Sequence, residues 1–361
     1  LSALRALRRD ETLERKARKL LSFTDNRQDA SLQAGHFNDF VEVGLLRAAL
    51  YQAVYAAGPA GLTHDQLPQR VFAALNLPLD LYAVEPGTKF QARKDTERAL
   101  REVLAYRVYQ DLRRGWRVTS PNLEQCGLLE IQYGSLDELC ASEDEWQALH
   151  PALATASPQD RFRVSKALLD FLRREMAIRV DYMEAGYQER IQQISSQRLV
   201  EPWAIDESEA MVQGAVAFPR ASSQNDYGGN VYLSARSGMG LYLRRTGVLP
   251  NYAHKITLEE TDKILRDLFE ALRVGGLVEI VSESDAGEAP GYQVPAAALV
   301  WVVGDGTRPI SDPIRVPQVS ASGGRVNPFF VSFYREVTAD LQGIEAHEHT
   351  AQVPSDVRQE R

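Results

Sequence analysis

The chain has 361 residues, 44% of them apolar and 25% charged, with a formal net charge of −8. That composition is ordinary for a soluble globular protein of two or three domains. No run of about 18 apolar residues occurs, which excludes a membrane-spanning helix. The negative balance counts against a dedicated nucleic-acid-binding domain, but not against a motor whose strand groove is local.

Leu1 to Lys19 alternates Leu and Ala with Arg and Lys. It lacks an apolar core segment and a small-residue cleavage site, so it does not read as a signal peptide. Residues 1 to 18 read as a polar helix with a solvated basic face, and the chain is expected to be an internal piece of something longer. Lys19 to Asp25 is a short apolar run ending in turn formers, as a buried parallel strand would be. Asp25 or Asn26 can cap the next helix. In that helix Phe37, Phe40, Val41, Val43, Leu45, Leu46, Ala49, Leu50 and Val54 recur near helical period, up to Gly58-Pro59. Strand, polar turn and helix form half of a βαβ unit.

The pattern then changes. Leu62 to Leu75 is predicted as a helix capped by Thr63, with Gln66 three residues on. Lys94 to Arg113 is predicted as a long amphipathic helix. A turn, a short helix over Pro121 to Cys126 and a strand over Leu128 to Tyr133 follow, in the order of a winged helix. Gln159 to Glu175 is predicted as a helix continuing toward Tyr187, residues 195 to 236 as irregular, and Met239 to Arg245 as a helix start. Thr257 should cap Leu258 to Leu272, with Glu260 completing a capping box and Gly275-Gly276 ending the helix. Leu277 to Val281, a polar loop, Gly291 to Val294 and Ala298 to Val303 then read as a wing with its returning strands. Residues 304 to 326 read as a linker, Asn327 to Gln342 as a helix, Ile344 to His349 as a short strand and Thr350 to Arg361 as a turn entering a charged helix.

Most catalytic signatures are missing. No G-x-x-x-x-G-K-[ST] is present, and Gly238-Met-Gly240 lacks the Lys of a phosphate loop. There is no G-x-S-x-G elbow. His347 and His349 would share one face of a strand and, with Glu345, offer a third reading as a metal-dependent hydrolase, although three ligands on one short strand is unusual geometry. Cys126 and Cys140 have no His cluster and read as semi-buried thiols, which fits a reducing cytoplasm.

Two segments carry a resemblance. Leu20-Leu-Ser-Phe-Thr-Asp-Asn-Arg-Gln-Asp-Ala30 resembles motif IV at the first strand of the second RecA-like lobe in superfamily-two helicases. More narrowly it is similar to the branch with the MrfA-like repair helicases and the DISARM helicase, which often carries a long insertion. His347-Glu-His-Thr-Ala-Gln-Val-Pro-x-x-x-Arg358 resembles the next strand and turn of that lobe, and Phe330 to Tyr334 the helix before it. The resemblance covers roughly 75 to 90 residues, by the spacing of those segments along the chain. It implies a parent ATP-dependent helicase that uses ATP and Mg. Both would be bound outside this chain, since the phosphate loop, the Asp-Glu box and the later motifs are missing from it.

The resulting expectation is a mixed, mainly α fold with an α/β part, a partial RecA-like lobe interrupted by a helical insertion that contains winged helices. Its parts would be 1–57 (first part of the lobe), 58–194 (helical insertion with a winged helix), 195–326 (second winged-helix module and linker) and 327–361 (return to the lobe). Thr24, Asn26, Arg27 and Gln28 would grip phosphates without reading bases, and their plain alternative is helix capping. His349, Thr350 and Gln352 would line the same groove, or form an ordinary surface turn. Arg113, Arg114, Trp116 and Arg117 make a basic, aromatic corner that can stack on a base, or be a packed Trp with solvated arginines. The acidic helix near Glu259 points to protein–protein or interlobe packing. Expected partners are single-stranded or junction DNA and a protein docked on the insertion, with no membrane. The alternative is a winged-helix DNA-binding or protein-interaction adaptor without a motor.

Overall fold

Apolar residues at helical spacing between Phe37 and Val54 lie on one long helix, α1 (Arg27–Ala57). Every residue from Val41 to Leu50 is buried, polar ones included. A helix covered all round needs internal partners for its charges, which is why Glu42 and Arg47 are engaged within the core. The structure is a computed structural model that describes residues 6–7, 10–14, 18, 20, 27–113, 115, 120–224, 226, 228–283, 289–316, 324–337, 341–344 and 346, with backbone alone at 27–31.

After α1 the chain forms β1 (Leu62–Thr63), α2 (Leu67–Leu75), α3 (Phe90–Asp111) and β2 (Leu129–Tyr133). The helix predicted from Leu62 therefore starts five residues late. Thr63 does not cap it; its hydroxyl donates to Asp65 at 2.5 Å, and Leu62 and Thr63 are held as strand by pairing with Trp301 and Val300. Pro occupies the first turn of α2, where its missing N–H costs nothing. The short helix expected over Pro121 to Cys126 is a series of turns. In β2 the apolar Leu129, Ile131 and Tyr133 face inward and Glu130 and Gln132 outward, the period of two that a half-buried strand requires.

Next come α4 (Leu136–Ala141), α5 (Asp144–Gln147), α6 (Pro151–Ala154), α7 (Pro158–Arg174), β3 (Ile178–Arg179), α8 (Ala185–Arg198), β4 (Ala217–Phe218), β5 (Val231–Tyr232), α9 (Gly238–Leu243), α10 (Leu258–Val274), β6 (Glu279–Ser282) and β7 (Gly291–Pro295). α7 does not run on to Tyr187. Met176 takes a positive φ of 66°, which ends the helix before β3. The capping box at Thr257 and Glu260 is formed, and Gly276 turns the chain out of α10 at φ 69°. β6 and β7 make the expected hairpin.

β8 (Leu299–Val303) departs from expectation. It does not return to that hairpin but lies between β1 and β2 in a separate sheet of order β1-β8-β2, antiparallel on both sides. Trp301 sits opposite both Leu62 and Ile131 and is fully buried. The chain from residue 134 to residue 298 is thus one long connection between two paired strands. Within it β3, β4, β5, β6 and β7 form a second sheet, with β7 bonded to β3, β4 and β6. The region read as irregular at 195 to 236 supplies β4 and β5 to this sheet.

The chain closes with α11 (Pro328–Ser332) and one π-helical turn, Phe333–Val337. The helix expected over Asn327 to Gln342 is described as helical from Pro328 to Val337, and residues 338–340 lie outside the described ones. The described residues are mainly helical with small sheets, and among them no helix is long and apolar enough to cross a membrane.

Candidate nucleic-acid interface

The last described segment packs back on α1. Asn38 donates to the Ala346 carbonyl at 3.0 Å and accepts from the Ala346 N–H at 2.7 Å. A side-chain amide that satisfies both the N–H and the C=O of one residue fixes that residue in position and register. One turn deeper, Phe40 meets Phe333 with ring centroids 5.0 Å apart. Arg47 then donates to Asp111 at 2.7 and 3.0 Å, to the carbonyls of Ser120 and Pro121, and to the Tyr334 hydroxyl at 3.0 Å. The Tyr334 hydroxyl in turn donates to the Pro121 carbonyl at 2.8 Å. Burial opposes the Arg47 charge, but Asp111 outweighs it and holds its pKa above the ordinary value. Arg335 donates to the Tyr51 hydroxyl at 3.2 Å. The described residues 330–337 and 346 are thereby held on α1.

Beside this junction lies a cleft of about 370 Å³ walled by α1, α3, residues 201–209 and Gly343-Ile344. Arg107 forms its floor, bonded to Glu209 at 2.9 Å and to Gln110 at 2.9 Å, with Glu42 at 3.6 Å. Burial disfavours its charge, yet Glu209 and Glu42 keep its pKa raised. Asp39, Glu201 and Asp206 also line the cleft. Five carboxylates around one arginine repel a phosphate chain, so a nucleic-acid backbone does not suit this cleft.

The sequence-predicted contact residues fall mostly elsewhere. Thr24 and Asn26 lie outside the described residues, as do His349, Thr350, Gln352, Arg114, Trp116, Arg117 and the Glu345–His347 pair. Arg27 and Gln28 are the first two described residues of α1, and the residues before them lie outside the described ones. Arg113 is exposed just past the end of α3. Among the described residues no cluster of three His, Cys, Asp or Glu side chains is placed to hold a metal. The acidic start of α10 is committed to local bonds: Glu260 to Thr257 and Tyr252, and Asp262 to the Ala235 N–H.

Sequence reading missed the outer face of α3. The helix starts at Phe90, four residues before the predicted start at Lys94, which draws Phe90, Gln91 and Arg93 onto its first turn. Phe90 is 87% exposed, and Lys89, Arg93, Lys94 and Arg98 are exposed around it. The available signal was an aromatic followed by cations at i+3, i+4 and i+8, the spacing of one helical face. Comparison with known protein families, with curated proteins and with solved structures returns no match.

Proposed function

We propose that this chain is part of the second RecA-like lobe of a superfamily-two nucleic-acid helicase or translocase, interrupted by a large insertion. The observation that supports the reading is the packing of the last described segment on α1. α1 follows directly on the motif-IV-like string, and through Asn38, Phe40 and Arg47 it holds residues 330–346. Contacts between α1 and residues 333–346 on either side of the intervening chain are compatible with an insertion into one lobe. In this reading Thr24, Asn26, Arg27 and Gln28, with His349, Thr350 and Gln352, hold the phosphate backbone of single-stranded or junction DNA. Arg113, Arg114, Trp116 and Arg117 contact the strand from the insertion.

ATP and Mg would belong to the parent protein outside this chain. The sequence has no phosphate loop, and the carboxylate-lined cleft beside Arg107 does not fit a triphosphate. We assign no step of hydrolysis to these residues.

The insertion is read as two winged helices, the second nested in the wing of the first. The order α1, β1, α2, α3, β2, β8, with β8 between the other two strands, supports the first. For the second, the β6–β7 hairpin after α10 gives the wing, although α8, β4 and β5 intervene after β3, and β3 pairs with β7 in parallel. That same observation favours the second reading, an adaptor without motor activity that is also located in the cytoplasm.

Strand binding by fluorescence anisotropy tests the proposal. Arg27→Ala should weaken single-strand affinity about ten-fold, the loss expected for one charge-assisted phosphate contact. Unaltered affinity in Arg27→Ala, with tight binding only to one duplex sequence, would favour the adaptor.

A further inference from the structure

We propose that the outer face of α3 is a stacking and phosphate-contact platform for single-stranded nucleic acid, centred on Phe90. The inference rests on the functional reading above and adds a contact site within the insertion.

Phe90 is the most exposed large apolar side chain among the described residues, at 87%. It touches no other aromatic ring there and takes a positive φ of 53°. Positions 90, 94 and 98 follow one another along a single stripe of the helix, with 93 beside them. The stripe therefore reads Phe90, Lys94, Arg98, flanked by Arg93 and by Lys89 just before the helix. Lys89 and Lys94 make no hydrogen bond or ion pair among the described residues. Arg93 is bonded to Glu97 at 2.8 Å but stays 60% exposed, and Arg98 is 57% exposed.

Of the acids of α3, Glu97 pairs with Arg93 at 2.8 Å, Glu102 lies 3.7 Å from Arg98, and Asp95 and Glu102 also reach α8. Asp95 faces Arg198 of α8 at 3.8 Å, and Glu102 accepts from the Tyr187 hydroxyl of α8 at 2.7 Å. α8 thus engages Asp95 and Glu102, while Lys89 and Lys94 stay exposed. An exposed ring flanked by two lysines, Lys89 and Lys94, that have no partner among the described residues is complementary to a chain that offers a phosphate and a base at each step. Stacking on such a ring is tolerant of sequence, because every base has a π face. An acidic protein would use the cations but has little use for the ring.

The test uses this chain with labelled oligo-dT and oligo-U of about 16 nucleotides, long enough to span one platform. Phe90→Ala should weaken binding about ten-fold, the worth of one base stack, and Phe90→Trp should restore it. Replacing Lys89 and Lys94 together by Gln should lower the slope of log affinity against log salt by about 1.4. A 5-iodouridine strand should crosslink to the peptide that holds Phe90. Wild-type affinity in Phe90→Ala, or displacement of the strand by poly-glutamate at equal charge, overturns the inference, the latter in favour of an acidic protein. If the α3 variants bind normally while Arg27→Ala does not, this inference falls and the functional reading stands. If the unaltered chain binds no single strand, both fall.

Discussion

Replacing Arg47 by Met should destabilise the protein by about 3–5 kcal/mol, the cost of stripping one partner from a buried ion pair. Arg47 is fully buried and Asp111 is only 6% exposed. The Asp111 carboxylate has two hydrogen-bonded guanidinium nitrogens as its partners. Met fills much of the volume but leaves that carboxylate charged and dry. It also releases the carbonyls of Ser120 and Pro121 and the Tyr334 hydroxyl. With 361 residues and an unfolding entropy of about 2.1 cal/mol/K per residue, 1 kcal/mol corresponds to about 1.3 °C. The expected fall in Tm is therefore about 4–7 °C by that scaling. Thermal unfolding followed by circular dichroism measures it. The double variant Arg47→Met with Asp111→Leu should regain most of the loss, because an apolar pair of similar volume removes the stranded charge. A single variant that melts within a degree of the parent, or a double variant no better than the single, would refute the argument.

Two further outcomes follow from local chemistry. Glu260 is held at about 2 by the Thr257 N–H, the Tyr252 hydroxyl and the Thr257 side chain. Its depressed value means that its contribution is complete above the ordinary glutamate range and is lost as pH falls through about 2. Glu260→Gln should remove that part of the acid sensitivity in an unfolding titration, and Thr257→Ala should cost about 1 kcal/mol as a lost cap; an acid limb unchanged by the glutamine variant contradicts the assignment. Burial pushes the thiols of Cys126 and Cys140 up to about 11, so neither should react with a thiol reagent at neutral pH until the chain unfolds, and rapid labelling of the native protein counts against their placement.

Features that depend on neighbours in sequence were legible. The Thr257–Glu260 box, the helix around Leu45 and the alternation of Leu129, Ile131 and Tyr133 are all set by spacings of two to four residues. Partnership between distant strands was not legible. Leu299–Val303 reads equally well as the return of a local hairpin, and only the burial of Trp301 against Leu62 and Ile131 places it in the other sheet. Nothing in the neighbouring sequence of Arg47, Arg161 or Arg173 marks them as buried, and arginine is mostly exposed. Each is buried instead, paired respectively with Asp111, Glu143 and Glu124, which stand far along the chain. For the interface, the end strings were recognisable as strings. Phe90 was not, because nothing in its immediate sequence tells an exposed ring from a packed one.

The account stands on the two ends of the chain belonging to one lobe. A variant carrying Asn38→Cys and Ala346→Cys, in which the present amide-to-backbone contacts span 2.7 and 3.0 Å, tests this under mild oxidation, with the linked peptides found by mass spectrometry after proteolysis. Efficient formation of a 38–346 disulfide in the folded monomer is the expected result. Two free thiols at those positions, in a protein that otherwise folds and melts like the parent, would separate the ends and remove the motor reading with them.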